Sequence, residues 1–313
     1  MNLFELVTRF VAFKQAMGAS FTSQAGILRS FCRAMGDISV TEVDPLAIED
    51  FLKVRGQVTA YWTVKFKALS GFFRFAVARE YLDVSPLPPA NPKVPERRTP
   101  HIYTLEELRT LITATDALFR PSNRLRPATY RTLLLTLYGT GMRISEALSL
   151  RIGDVDLSCN VIIVHNGKFH KSRLVPVSAL LGGELRAYAE RREQIPLPRG
   201  TDSAFFATRT GCAISYQIAK ETFVDLRSLA GICPDRWHHL PRLHDLRHTF
   251  AVRRLEAWYR EGADVQRLLP KLSTYLGHQD VSATQWYLTM IPELLQEASR
   301  RFELYSLGEV AHE

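Results

Sequence analysis

The sequence predicts a mainly α-helical chain with a small antiparallel β-sheet in its C-terminal domain, arranged in two lobes. Three observations carry that prediction. Apolar residues recur at helical spacing through most of the chain. Two short β-rich runs, Val161-Ile-Ile-Val164 and Arg173-Leu-Val-Pro-Val177, flank an Asn166-Gly167 turn signal. Residues 85–100 read SPLPPANPKVPERRTP, too rich in proline for a helix interior and too short for a domain. A helical domain over residues 1–88, a stiff linker over 89–100 and a larger domain over 101–313 follow.

In the first domain, Leu3, Leu6, Val7, Phe10 and Val11 share a helical face over residues 2–17, and Gly18 stops the run. A second helix follows from Thr22. Asp44 caps a third and Pro45 opens it, carrying Leu46, Ile48, Phe51 and Leu52. A fourth, over 59–79, combines Trp62, Phe66, Phe73 and Phe75 with Lys65, Lys67, Arg74 and Arg79, a charged surface for a polyanion or for solvent.

In the larger domain, Thr104 and Glu107 have capping-box spacing for a helix through Ile112. Residues 131–138 form an apolar core helix that Gly139 and Gly141 end, turning into Ile144-Ser-Glu-Ala-Leu148. The hairpin comes next, and Ala204-Phe-Phe-Ala207 reads as a third strand. Helices are expected over 215–229, 249–260, 265–275 and, as an amphipathic tail, 292–305. Pro270 should kink or interrupt the 265–275 helix.

Composition narrows the class. A chain of 313 residues with 46% hydrophobic content can bury two cores. Its formal net charge of +8, dominated by arginine, favours a polyanionic partner, although genome composition alone can produce such a bias. The four cysteines, Cys32, Cys159, Cys212 and Cys233, form neither a Cys-x-x-Cys pair nor a disulfide framework, which fits a reducing compartment. No run approaches the roughly 18 apolar residues of a membrane span. Met1-Asn-Leu-Phe-Glu5 lacks the basic start of a secretory signal.

The chemistry-bearing residues fall in one order: Gly141-Met-Arg143, Gly167-Lys168 in the hairpin, His244-Asp-Leu-Arg247, Leu276-Gly-His278, and Tyr287 nine residues beyond that histidine. Attack on a phosphodiester builds negative charge on the non-bridging oxygens, and fixed guanidinium donors stabilise it where it develops. Arg143 and Arg247 suit that role. Tyr287 is the candidate nucleophile. Its phenol titrates near 10 in water and needs a proton acceptor, for which His244 is the candidate, three positions from Arg247 on one helical face. Lys168 would protonate the leaving oxygen, with Lys171 as its rival. Glu146 reads as a partner that orients an arginine. Tyr275 is a weaker rival nucleophile, expected to pack within its helix. Trp237, His238 and His239, near Cys233 and Asp235, match no usual zinc spacing.

On these residues the chain resembles the tyrosine recombinases of the phage-integrase type. Thr140-Gly-Met-Arg-Ile-Ser-Glu146 looks like the family's first arginine box, Lys168 like its lysine, and His244-Asp-Leu-Arg-His248 like its H-x-x-R box, with His278 and Tyr287 completing the set from about residue 100 to 300. The chain departs from the pattern at Phe169 and His170 in the hairpin loop, in the longer 268–274 segment, and in the 234–241 loop. The resemblance implies a two-lobed DNA clamp, with a helical core-binding domain joined to an α+β catalytic domain. It implies metal- and ATP-independent strand cleavage through a 3′-phosphotyrosine, without cofactors, for integration, excision or transposition. Its partner would be double-stranded DNA with paired sites, engaged by a homo- or hetero-tetramer exchanging C-terminal helices. A cytoplasmic, nucleoid-associated protein without membrane contact is then expected. Two alternatives stand beside this reading, a type IB-like topoisomerase and a non-catalytic DNA-binding accessory protein on the same scaffold.

Overall fold

The computed structural model describes the chain except for residues 20, 89–91, 93–98, 166–171, 234–239, 278–281 and 291–313, together with the side chains of residues 282, 283, 289 and 290. It divides into two compact units, Met1–Arg98 and Thr99–Glu313.

The first unit is built from α1 (Leu3–Ala16), α2 (Thr22–Met35), α3 (Pro45–Leu52) and α4 (Ala60–Ala78). The expected start of α3 is met by its cap, because Asp44 Oδ1 accepts the Leu46 amide at 3.0 Å and Pro45 occupies the first turn, where its missing N–H costs nothing. An aromatic core of Phe10, Phe31, Phe72 and Phe73 holds the four helices together. The charged face of α4 is partly structural. Lys65 Nζ donates to the Phe51 and Lys53 carbonyls and lies 4.5 Å from the Phe51 ring centroid, and burial lowers its pKa.

The second unit runs α5 (Leu105–Ala114), α6 (Arg126–Thr140), α7 (Ile144–Leu148), β1 (Val155–Asp156), β2 (Val161–Val164), β3 (Arg173–Pro176), α8 (Ala179–Glu193), α9 (Tyr216–Leu229), α10 (Asp245–Arg260), α11 (Val265–Leu276) and α12 (Ser282–Gln285), with a 3-10 turn over Trp286–Met290. The strands form one antiparallel sheet in the order β1-β2-β3, with Val161 opposite Pro176 and Val164 opposite Arg173. Helix α6 is central and packs against α5, α8 and α10. Its buried threonines do not disrupt it, because Thr136 Oγ1 donates to the Thr132 carbonyl at 2.7 Å and Thr140 Oγ1 to that of Thr136 at 2.6 Å.

Several expectations need correction. Ala204-Phe-Phe-Ala207 is no strand. It makes single bridges, Arg151 with Ala204 and Ala207 with Ala213, while Phe205 and Phe206 are both buried, so the run lacks the alternation of a sheet surface. The third strand is β1. Gly139 lies inside α6, and only Gly141, left-handed at φ +63°, ends it. Helix α11 passes through Pro270 uninterrupted, since the buried row Val265, Leu269, Leu272 and Leu276 holds it across the one missing hydrogen bond. Helix α8 was not anticipated. The tail helix over 292–305 lies outside the described residues.

Candidate active site

Three glycine- or cap-terminated turns of the second unit converge. Arg143 is the N-cap of α7, directly after the α6 terminus; its backbone N–H donates to Glu146 Oε2 at 2.8 Å and its Nη1 to Glu146 Oε1 at 2.8 Å. Arg143 Nη2 donates to the Gly277 carbonyl at 2.6 Å. Arg247, in the first turn of α10, is 2% exposed. Its Nη1 reaches the Gly141 carbonyl and its Nη2 the Leu276 carbonyl, both at 2.7 Å. The two arginines flanking the α6–α7 turn are thus anchored on the C-terminal carbonyls of α11, the negative end of a helix dipole.

Gly277 is left-handed at φ +67°, and a Cβ there would stand 3.2 Å from Arg173 Nη1 and 3.4 Å from Arg143 Nη1. Glycine is needed both for the turn and for the close approach of the guanidinium groups.

Glu146 holds the cluster. It is 7% exposed and accepts two arginines, because Arg173 on β3 donates Nη1 to Oε1 at 3.0 Å and Nη2 to Oε2 at 2.8 Å. Burial alone would raise its pKa, but the hydrogen bonds from Arg173 and Arg143 outweigh it and hold the carboxyl at about 2. Burial, together with the charge of Arg143, lowers Arg247 to about 10. The Tyr287 and Glu146 side chains both act against that lowering.

Tyr287 sits in the 3-10 turn after α12, 2% exposed, in a core with Leu255, Leu269, Leu272 and Leu276. Sequence reasoning gave its proton acceptor as His244. The structure brings His248 to it, with Nδ1 2.9 Å from the Tyr287 hydroxyl, and His248 lies edge-on to His244 at 4.7 Å between ring centroids. Both histidines belong to the same five-residue motif, four positions apart and on one face of α10. That spacing was the available signal.

His244 keeps a solvent-exposed side, yet burial of its remainder and the charge of Arg247 push its pKa down to about 4. Tyr275, the rival nucleophile, stacks on Phe250 at 5.7 Å, and burial raises its pKa. Arg173 was missed altogether, because its partner lies 27 positions away and no local pattern announces the pair.

Lys168, Lys171, His278 and the Trp237-His238-His239 loop lie outside the described residues. Among the described residues no group of three or more His, Cys, Asp or Glu side chains is placed to hold a metal ion. No described helix is long and apolar enough to cross a membrane.

Comparisons with known proteins bear on the family and the fold. The sequence profile of the phage integrase family matches residues 102–292. A Sinorhizobium fredii protein, y4rB, whose name places it among the integrases and recombinases, is 38% identical over 250 residues, covering 78% of each chain. The tyrosine recombinase XerD of Mycobacterium leprae is 34% identical over 234 residues, 74% of this chain and 69% of that one. Among solved structures, the Tn1549 transposon integrase bound to transposon right-end DNA shares the fold at a TM-score of 0.69 and 16% identity, covering 98% of this chain and all of that one. A lambda integrase tetramer bound to a Holliday junction does so at 0.65 and 15% identity, over 90% of this chain and 78% of the other.

Proposed function

Because the chain belongs to the phage integrase family of tyrosine site-specific recombinases, we propose that it breaks and rejoins DNA strands through a covalent 3′-phosphotyrosine at Tyr287, independently of metal and ATP. The observation that carries this reading is that Arg143, Arg247, His248 and Tyr287 gather at the C-terminal end of α11, where Tyr287 packs in one core with Leu276. Arg143 and Arg247 are fixed on the end of α11, and Tyr287 is hydrogen-bonded to His248 at 2.9 Å.

A guanidinium has five N–H donors, so an arginine anchored on two protein acceptors retains others for a phosphate. Held in place before substrate arrives, Arg143 and Arg247 stabilise the pentacoordinate phosphorus without reorganising. The Tyr287 hydroxyl attacks phosphorus as its proton leaves. His248 Nδ1 is within transfer distance, and His244, neutral at pH 7, completes the imidazole pair beside it. The 5′-oxygen departs with a proton from the hairpin lysine, Lys168 or its rival Lys171. His278 provides a further donor to the phosphate. Forming the phosphotyrosine conserves the energy of the phosphodiester, so the released 5′-hydroxyl can rejoin on a partner strand.

Strand exchange requires paired sites on double-stranded DNA, and the assembly we propose is a homo- or hetero-tetramer on DNA, linked by exchange of the tail segment 292–305 that the sequence pattern predicts to be helical, acting on a mobile element at the nucleoid. Deleting residues 292–313 should weaken cooperative assembly and spare single-site binding; an unchanged assembly profile would refute that linkage.

The decisive test is covalent trapping. Wild type and Tyr287→Phe are incubated with a chelator and without ATP on nicked duplexes tiled across the DNA flanking the gene, then resolved under denaturing conditions. An adduct from wild type alone supports the proposal. Mobility shifts from both proteins with no adduct would support DNA binding without cleavage.

A further inference from the structure

The carboxylate of Glu146 is divided between two arginines, and the division is unequal. Arg173 takes both oxygens in a two-pronged contact at 2.8 and 3.0 Å, leaving Arg143 a single side-chain hydrogen bond to Oε1 at 2.8 Å. The third arm of Arg173 matters as well, because its Nε donates to the Tyr275 carbonyl at 3.0 Å. Arg143 and Arg247 hold the next two carbonyls of the same helix end, at Gly277 and Leu276. Three arginines from three different elements therefore grip consecutive carbonyls at the end of α11, and one of them, on β3, is absent from the set of chemistry-bearing motifs.

We infer that Arg173 is a positioning residue for strand cleavage, acting through Glu146 on Arg143, an inference that rests on the proposed phosphotyrosine chemistry. Without Arg173 both Glu146 oxygens would be available to Arg143. A two-pronged Arg143–Glu146 pair would offset the field of the guanidinium at a phosphate and turn its fork away from it. With Arg173 in place, the carboxylate is shared by two cations, and Arg143 keeps free donors and a fixed direction. Arg173 also begins β3, two residues after the end of the 166–171 segment that carries both candidate lysines, so the same contact ties the root of that loop to the end of α11 that leads in sequence to His278.

Lysine cannot substitute in this role, since an ammonium cannot bind a carboxylate in two-pronged fashion and hold a carbonyl in the plane of the same group. The test uses full-length wild type, Arg173→Ala and Arg173→Lys on the nicked duplexes that trap the covalent adduct, with DNA affinity and thermal unfolding measured in parallel. Arg173→Ala is expected to bind DNA as wild type does and to form the adduct roughly 10²-fold more slowly, the scale set by a misaligned catalytic group. Arg173→Lys should be similarly slow, and added guanidinium ion should speed Arg173→Ala but not Arg173→Lys. A wild-type cleavage rate in Arg173→Ala overturns the inference. So does slowing matched by lost DNA affinity and unrelieved by guanidinium. Should Arg173→Ala fail to fold, Arg173→Lys decides: slow cleavage at unchanged affinity supports the role, and a wild-type rate overturns it. Wild type that forms no adduct would overturn the proposed function and this inference together, which separates the two failures.

Discussion

Replacing Gly141 by alanine should loosen the site at its root. Gly141 ends α6 in the left-handed region at φ +63°, and its carbonyl accepts Arg247 Nη1 at 2.7 Å. An L-residue held there costs about 1–2 kcal/mol. The added Cβ would also overlap Phe250 Cδ1 and come within 3.0 Å of Leu276 Cδ2. The Phe250 ring is itself stacked with Tyr275 at 5.7 Å between ring centroids, and overpacking adds about 1–3 kcal/mol. The expected loss is therefore about 2–5 kcal/mol. Gly139→Ala, one half-turn earlier, is the control. It lies inside the helix, where alanine gains about 0.5–1 kcal/mol, and its Cβ meets only the tip of Leu181 at 3.0 Å, so the two effects nearly cancel. Native-state hydrogen exchange on the α6 and α10 amides reads both as opening free energies. A Gly141→Ala protein as protected as wild type would refute the argument that this turn is strained and closely packed, and with it the claim that Arg247 is set by the turn's geometry.

Other consequences can be measured directly. Glu146→Ala leaves Arg143 and Arg173 without their shared counter-charge and should cost about 3–5 kcal/mol, read by denaturant unfolding. Because the Glu146 carboxyl titrates at about 2 in the fold and near 4.5 when free, its contribution is complete above pH 4.5 and is lost as pH falls toward 2, which unfolding at stepped pH will show. His244 acts in the same direction in a higher window: unfolded it takes a proton near 6.5, folded only near 4, so its effect on stability is most favourable above pH 6.5 and weakens as pH falls from 6.5 to 4. An NMR titration of its ring with a midpoint near 6.5 would contradict that environment. His248→Phe removes one 2.9 Å hydrogen bond of the buried Tyr287 side chain and should cost about 0.5–1.5 kcal/mol while slowing adduct formation.

How much of this was legible in the sequence depends on how local the cause is. The capping box of Thr104 and Glu107 is written in four consecutive residues and forms as read, with the Glu107 amide donating to Thr104 Oγ1 at 3.1 Å and the Thr104 amide to Glu107 Oε2 at 2.8 Å. Helix α6 was visible from its apolar run, but its start at Arg126 was not, because Pro127 reads as a breaker unless one sees that it occupies the first turn. Helix α8 was hidden by Gly182 and Gly183; its buried row Leu181, Leu185 and Tyr188 supplies what its propensity lacks. At the site, Arg143, His244, Arg247 and Tyr287 stood out by motif and order. Arg173 did not, since a strand residue paired with a glutamate across the fold leaves no local trace. The choice of His248 over His244 as the neighbour of Tyr287 depends on how the Trp286–Met290 turn is seated on α10, which is tertiary packing.

The central claim is that Tyr287 becomes covalently bonded to DNA, and the most direct measurement is mass spectrometry of the trapped adduct after nuclease and protease digestion. The nucleotide remnant should reside on the peptide containing Tyr287, attached to its phenolic oxygen through a 3′-phosphate. A remnant on Tyr275, or on any other side chain, would contradict the account.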